Sequence, residues 1–440
     1  MIRSLSILLL LLSATLAGCS EGVDNERVRV DVIEDRPRPL NVSATPLPLA
    51  SAYLRAATAQ GLVTFDEKGR VAPGLANRWI VTDDGMSYIF RLNKGRWNDG
   101  REVESREVAR LLTARIQELR KGRLGTELGV IDRVVAMTGK VVEIRLKAPM
   151  PYLLELLALP EFGLLSKGAG SGPMQARKFG QVMQLRRNET DDDGAQFLGN
   201  AMVTLWRGTA STAIARYTLG QSDLVEGGRF ESFPLLDAAN IRADQIRFDA
   251  VPGLFGLQIV NGGPFLSDKA NRTAIAMAID RPKLLTAFDI VAWQETVTLV
   301  PESLPNRADI KRPAWSVPLM EERRVMARAT VANWENANGA LRPLRVAMPR
   351  GYGARIFFAR LRADLATVGI DIERVTVDRP HDLLLVDRAA QQSTPAWYLD
   401  QLSCRFSKIC SPRADEIVGE ARRTTDSAIR AQLLGEAEAE

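Results

Sequence analysis

The chain has 440 residues, which at roughly 100–200 residues per domain predicts two or three domains. With 46% hydrophobic and 25% charged residues, the composition is that of an ordinary globular protein and excludes extensive disorder. The formal net charge of +5 is too small for this length to indicate nucleic-acid binding. The single histidine, His381, excludes histidine-rich metal sites and any catalytic triad that does not use it. Composition therefore favours a binding protein over most enzymes, and we expect no bound metal or cofactor.

The N-terminus carries a targeting signal. Arg3 precedes an apolar run over residues 5–12 that is too short to span a bilayer. Leu16-Ala17-Gly18-Cys19 resembles the bacterial lipoprotein signal, in which the chain is cut before the cysteine and the cysteine is lipidated. We therefore expect a signal peptide at 1–18 and a lipid on Cys19, the alternative being an ordinary secretory signal. Residues 19–39 are charged, contain proline and show no apolar period, so they predict a tether.

After the tether, the pattern predicts a helix over residues 50–60 and a short strand over 61–65. Alternating apolar residues predict strands over 87–92 and 141–146. Between them, apolar side chains recur at helical spacing, with Ser105 as the predicted N-cap. The apolar residues of this predicted helix are Val108, Leu111, Leu112, Ile116 and Leu119.

Strands and helices continue to alternate in the second half of the chain. Residues 344–348 and 370–375 predict strands that flank a helix over 354–368, and this β–α–β order implies a parallel pair. The apolar run at 382–386 is typical of a buried parallel strand. Further strands are predicted over 181–187, 201–206 and 256–261, and further helices over 210–219, 271–287 and 421–440. The sequence therefore predicts an α/β fold.

The most glycine-rich stretch is Gly168-Ala169-Gly170-Ser171-Gly172-Pro173. A phosphate-binding loop would end in Gly-Lys followed by Ser or Thr, which is missing here. A nucleophile elbow would place glycines where Ala169 and Pro173 flank Ser171. The stretch therefore predicts a mobile connecting loop with no catalytic role.

Cys404 and Cys410 are the only cysteines besides Cys19. In an oxidising compartment a pair this close can close a small disulfide loop, which we expect here, with free thiols as the alternative. A zinc site is not indicated, because His381 lies more than twenty residues away.

An ordered series of motifs resembles the extracellular solute-binding proteins of the peptide/nickel/oligopeptide class, which supply ABC importers. The series begins with Val71-Ala72-Pro73-Gly74-Leu75-Ala76, Trp79 and Trp97-Asn98-Asp99-Gly100. It is strongest at Asn261, Pro264-Phe265, Asp268, Arg272 and Ala278-Ile279-Asp280-Arg281, and it ends at Ser411-Pro412-Arg413-Ala414-Asp415. By the order and spacing of these motifs over residues 60–425, the chain is identified as a member of this family.

The resemblance implies an α/β, bilobal clamp like the class II periplasmic binding proteins, with an inserted α+β subdomain. Residues 40–60 and 162–258 would form the first lobe, 61–161 the insert, and 259–440 the second lobe. Asn261 would then lie near a crossover between the lobes. The family's closing strands, which rejoin the first lobe, have no counterpart before Glu440, so we expect them to be missing from this chain.

The resemblance also implies a function. The lobes of such a protein close on a ligand, by default a peptide, and deliver it to the permease of an ABC transporter. In the family an acidic residue after the apolar strand of the second lobe holds the ligand's amino group, and the nearest match is Asp387. We expect Asp387 to line the ligand site with Asn261, Arg388, Trp397 and Tyr398, although residues 388–395 depart from the family's usual Trp and Asp-Pro pattern.

We further expect a monomer without catalytic activity, held by its lipid at a membrane in the periplasm or at the cell surface, with no nucleic-acid partner. Two alternatives stay open: a sensor of the same fold that signals to a membrane receptor, and a binder of a non-peptide solute.

Overall fold

The computed structural model describes residues 27–34, 47–122, 124–137, 139–190, 196–249, 251–288, 290, 293–304, 307–308, 312–390, 394–424 and 426–440. The predicted signal peptide and Cys19 lie outside these residues. Within the described ranges, no helix is both long enough and apolar enough to cross a bilayer. The chain divides into two compact units, Met1–Pro37 with Pro173–Glu226, and Arg38–Gly172 with Gly227–Glu440.

The strands are β1 Arg27–Ile33, β2 Val63–Phe65, β3 Val71–Pro73, β4 Ala76–Val81, β5 Ser87–Leu92, β6 Ile131–Ala136, β7 Val141–Leu146, β8 Met174–Phe179, β9 Val182–Thr190, β10 Gln196–Gly208, β11 Leu224–Glu226, β12 Gly253–Ile259, β13 Leu344–Ala347, β14 Ile372–Val375 and β15 Leu383–Ala389. The α-helices are α1 Leu49–Thr58, α2 Ser105–Leu119, α3 Gly125–Leu128, α4 Leu153–Leu157, α5 Ala210–Thr218, α6 Phe233–Ala238, α7 Gly263–Ser267, α8 Lys269–Ala278, α9 Arg281–Thr286, α10 Met320–Asn338, α11 Tyr352–Ala366, α12 Pro395–Asp400, α13 Pro412–Arg423 and α14 Ser427–Ala439.

The first unit contains a five-stranded sheet of order β11-β1-β10-β9-β8, in which β1 is parallel to both of its neighbours. This strand corrects the prediction of a tether over 19–39, because Arg27–Ile33 lies inside the folded unit. Its charged residues alternate with valines, which is a strand pattern. The fully buried Asp31 is compensated by Arg216, whose Nη1 lies 2.5 Å from Asp31 Oδ1. A charged residue in this segment, Asp31, is therefore buried, and the charge of the segment did not indicate an exposed tether.

In the second unit, the region predicted as an insert forms a four-stranded antiparallel sheet of order β4-β5-β7-β6. Helix α2 packs against it, and its apolar residues Val108, Leu112 and Ile116 are buried in the same core, as their spacing predicts. Ser105 is not the N-cap: that position is Glu104, and Ser105 Oγ instead donates to the carbonyl oxygen of Gly139 at 2.7 Å.

The second sheet of this unit has the order β12-β15-β13-β14. Strand β13 is parallel to β14 and to β15, which confirms the predicted β–α–β pair around α11. Strand β12 pairs antiparallel with β15 along all of Gly253–Ile259. The predicted lobe boundary between 258 and 259 therefore falls inside a strand and is wrong at that point, because residues 253–258 belong to the same sheet as β15.

Two predicted helices are each divided in two. The region 271–287 is split between α8 and α9, because the Asp280 side chain accepts from Lys283 N–H and caps a second helix. The region 421–440 is split between α13 and α14, and Asp426 caps the latter in the same way.

The glycine-rich stretch packs tightly against the end of α1. A Cβ on Gly170 would lie 1.9 Å from the Thr58 carbonyl oxygen, and one on Gly172 would lie 2.5 Å from that of Ala57. The glycines are therefore required by close backbone approach, and the expectation of a mobile loop is wrong.

Candidate ligand-binding site

Asp387 lies near the end of β15, where β12 begins. In the antiparallel register Phe255 is opposite Asp387, and Leu254 is opposite Arg388. Because successive side chains of a strand point to opposite faces, Asp387 shares one face of the sheet with Phe255, and Arg388 shares the other with Leu254. The sheet therefore separates the predicted site residues into two groups.

The Asp387 carboxylate has a charged neighbour, Arg229, but no hydrogen-bond partner among the residues that the structure describes. The side chain is half-buried, and no hydrogen bond or ion pair joins it to a described residue. Burial raises the pKa of Asp387, and the guanidinium of Arg229 acts in the opposite direction. A carboxylate that is partly removed from water without donors is costly in free energy. A ligand that brings an ammonium group would supply those donors.

Aromatic rings form a path from the sheet to the surface on the Asp387 face. The ring centroid of Phe255 lies 5.1 Å from that of Trp293, and the centroid of Trp293 lies 6.3 Å from that of Phe233. Phe233 in turn contacts Phe248 at 5.7 Å, and Phe248 is 42% exposed. We call Phe233, Phe248, Phe255 and Trp293 the aromatic wall. Phe233, Phe255 and Trp293 are partly buried against the core of this unit, so Phe248 is the ring of the wall that is most open to a ligand.

Arg388, Trp397 and Tyr398 belong to the opposite face. The two aromatic residues, in α12, are only 4% and 0% exposed, and their rings meet edge to face with centroids 5.0 Å apart. Leu254 packs against the same cluster, and Arg388 Nη1 donates to Gln401 Oε1 at 3.0 Å. The structure thus does not bring these three residues to Asp387. The predicted ligand contacts Trp397 and Tyr398 are instead core residues behind the sheet.

Asn261 is exposed and lies beyond the far end of β12. Its backbone N–H donates to the carbonyl oxygen of Asp382 at 3.3 Å. At about 3.4 Å per residue, the four steps from Phe255 to Ile259 alone span about 14 Å, so Asn261 is remote from Asp387. The chain passes between the compact units after Pro37, after Gly172 and after Glu226, and Asn261 lies within the second unit.

Sequence reasoning missed Arg229 and the aromatic wall. Phe255 directly precedes the strand predicted over 256–261, and the other residues come from segments with no shared motif. Only the packing of those segments on β12 brings them together.

Cys404 and Cys410 form a disulfide with their Cα atoms 5.0 Å apart. Within the loop that it closes, Arg405 Nη1 donates to Oγ1 of Thr126 in α3 at 2.8 Å. In the described ranges no three histidine, cysteine, aspartate or glutamate side chains are grouped so that they could hold a metal ion.

The described residues form parallel and antiparallel α/β sheets, with a carboxylate and an aromatic wall near one strand end. The family described as bacterial extracellular solute-binding proteins, family 5, matches residues 70–402 over its middle region. This match spans more than half of the chain, which therefore belongs to that family. The predicted family is confirmed.

Individual relatives agree with this family assignment. The periplasmic oligopeptide-binding protein OppA of Escherichia coli K12 is 22% identical over 438 residues, which cover 86% of this chain and 78% of that protein. The solved structure of OppA from Burkholderia pseudomallei has a TM-score of 0.78 at 17% identity and covers 94% of this chain and 90% of its own. The structure of AgaA from A. tumefaciens R10 in complex with agropinic acid has a TM-score of 0.71 at 19% identity. The match covers 94% of this chain and 89% of the AgaA chain. These likenesses confirm the predicted fold class, the α/β fold of the periplasmic binding proteins.

Proposed function

We propose that this chain is the periplasmic peptide-binding component of an ABC importer and that Asp387 binds the amino group of the peptide. Family membership supports capture of a solute outside the cytoplasm, and the oligopeptide-binding relative supports a peptide as that solute. The observation that carries the site is the half-buried Asp387 carboxylate, which accepts no hydrogen bond and forms no ion pair among the described residues.

The chemistry follows from the two parts of the site. The ammonium group of a peptide donates charge-assisted hydrogen bonds to Asp387, each of which is worth about 1.5–3 kcal/mol when a charged group is involved. The first side chain of the peptide then lies against the aromatic wall, so apolar and aromatic first residues are favoured.

The protein acts by binding alone. Closure of two lobes around a ligand creates a state that differs from the open one, and a permease can recognise that difference. In this proposal the chain is a monomer without catalytic activity, Cys19 carries a lipid that holds it at a membrane, and residues 61–161 form the inserted subdomain.

The test compares free and N-acetylated peptides by isothermal titration calorimetry, after mass spectrometry of peptides released from the purified protein. Phe-Ala-Ala and its N-acetyl form are the first probes. Asp387→Asn and acetylation should each weaken binding about 10–100-fold, and acetylation should cost little more in the variant. Asp371→Asn, an exposed acid of the same unit, is the matched control and should bind as the wild type does.

Thermal stability distinguishes a binding role of Asp387 from a structural role. Because burial raises the pKa of Asp387, its ionised form is disfavoured by the fold, and Asp387→Asn should leave Tm unchanged or higher. If Asp387→Asn binds Phe-Ala-Ala as tightly as the wild type, or if acetylation still costs tenfold in that variant, Asp387 is not the anchor.

A non-peptide solute is the second candidate, supported by the structural neighbour that binds agropinic acid. Such a ligand would be found in the mass spectra of material released from the protein, with no peptide present.

A further inference from the structure

The loop that the Cys404–Cys410 disulfide closes joins two separate hydrophobic cores of the second unit. Leu128 of α3 is fully buried in the core of the sheet β4-β5-β7-β6. Helices α12 and α13, which flank the loop, bury Leu399 and Ile417 in a different core. A contact between the loop and α3 therefore holds one core against the other.

The side chain of Arg405, inside the loop, makes this contact. Its Nη1 donates to Thr126 Oγ1 at 2.8 Å, and its Nη2 donates to the carbonyl oxygen of Gly122 at 3.4 Å. A Cβ on Gly125 would lie 2.7 Å from Arg405 Nη2, so the missing side chain at this position leaves room for the guanidinium. Arg405 is thus docked closely on the backbone and side chains of α3.

The docked guanidinium also acts on a buried acid. Glu127, the residue after Thr126, is 7% exposed, and its Oε2 has no hydrogen-bond partner among the residues that the structure describes. Burial raises the pKa of Glu127, as does the charge of Asp400, whereas the charges of Arg422 and Arg405 lower it. A buried charge that loses its compensation is costly in free energy. Docked Arg405 therefore stabilises α3 through its hydrogen bonds and through its charge.

The disulfide that holds this loop is open to solvent. Cys404 is exposed, and with Asp415 and Gly419 it lines a groove of about 560 Å³. Cys410 is only half-buried. Exchange between a thiol and a disulfide needs access of a thiolate to one of the sulfur atoms, and exposed disulfides are the labile ones. Cys404 is therefore the more accessible cysteine for an external thiolate.

We propose that the disulfide is a redox-sensitive latch that fixes Arg405 on α3. A thiolate of an external dithiol attacks Cys404 Sγ, the S–S bond breaks, and Cys410 leaves as a thiolate that takes up a proton. The second thiol of the dithiol then displaces Cys404 as a thiol, so two electrons pass to the protein and the dithiol becomes a disulfide. The opened loop gains conformational freedom, so holding Arg405 on α3 costs more entropy and the guanidinium is released. Docking of the two cores then depends on the dithiol reductants around the protein.

The test is hydrogen–deuterium exchange, read by mass spectrometry before and after treatment of the full chain with dithiothreitol. The chain carries Cys19→Ser, so that maleimide labelling counts only the two cysteines of the latch. The amides of Leu128 and Gly129, which donate to carbonyl oxygens one turn earlier, report on α3. We expect dithiothreitol to open the bond in the folded protein and to speed exchange of these amides about tenfold, the effect of losing one charge-assisted hydrogen bond. Amides of β5 and β7 should exchange as before.

Three variants separate the latch from general loosening of the fold. Arg405→Gln keeps the disulfide, so α3 should exchange faster before reduction and dithiothreitol should add little. Cys404→Ser/Cys410→Ser should behave as the reduced wild type does. Arg413→Gln removes an arginine of α13 that is 64% exposed and should respond to dithiothreitol as the wild type does. The proposal is wrong if the folded protein resists dithiothreitol, if exchange in α3 does not change on reduction, or if reduction speeds it equally in Arg405→Gln.

Discussion

Asp382, just before β15, is a buried carboxylate whose contribution to stability can be worked out from its contacts. The residue is 1% exposed. Its Oδ1 accepts from Arg342 Nη2 at 2.8 Å, and its Oδ2 accepts from the Arg345 backbone N–H at 2.8 Å. Burial alone would raise the pKa of Asp382, but these hydrogen bonds and the Arg342 charge lower it from 3.8 to about 2.

The magnitude of the stability that Asp382 contributes follows from the linkage between protonation and folding. A fall from 3.8 to about 2, at 1.36 kcal/mol per pKa unit, corresponds to about 2 kcal/mol of stability from the ionised group. Because the pKa is lowered in the folded state, this stability is present above about pH 4 and is lost as the pH falls through about 2. Asp382→Asn lacks it at every pH.

Urea unfolding, followed by tryptophan fluorescence, measures the difference in unfolding free energy between the wild type and Asp382→Asn. At pH 7 the wild type should be more stable than Asp382→Asn by about 2 kcal/mol, and the gap should narrow below about pH 4. The exposed Asp371→Asn serves as the control and should show no such gap. A difference at pH 7 below about 0.5 kcal/mol, within the range of an ordinary surface substitution, would refute the reasoning, as would a gap that stays constant with pH.

The remaining predictions concern binding, the disulfide and the first unit. Because burial raises the pKa of Asp387 and an ammonium group binds only its ionised form, peptide affinity measured by calorimetry should fall as the pH is lowered through that raised pKa, and should not fall in Asp387→Asn. Replacing Cys404 and Cys410 with alanine should cost about 2 kcal/mol by the entropy of a loop this short; equal Tm with and without reductant would show that the bond has no structural role. Arg216→Ala should cost about 3–5 kcal/mol in urea unfolding because it leaves the fully buried Asp31 unpaired, whereas a loss below 1 kcal/mol would mean that water reaches Asp31.

Local patterns predicted much of the fold. The alternation at 344–348 and 370–375 and the helix between them predicted the parallel pair β13–β14, because period and element order depend on neighbours in sequence. The same rule applied to Arg27–Ile33 would have predicted β1, but the charge of that segment suggested a tether. Asp31 is tolerated there only because Arg216, far along the chain, lies beside it.

The site was less predictable. Asp387 follows from the resemblance to the family, but Arg229, Phe233, Phe248 and Trp293 are contributed by separate segments, and no spacing rule connects them.

The sequence by itself determined the family and the α/β class, since these depend on ordered motifs and local periodicity. The tertiary structure alone decided which predicted site residues share a face of the sheet. Asp387 and Arg388 are neighbours in the chain, yet one step along β15 turns the side chain to the other side of the sheet. On the Asp387 side, Leu385 lies in the core against which Phe255 packs, and on the other side Leu254 packs with Trp397 and Tyr398 of α12.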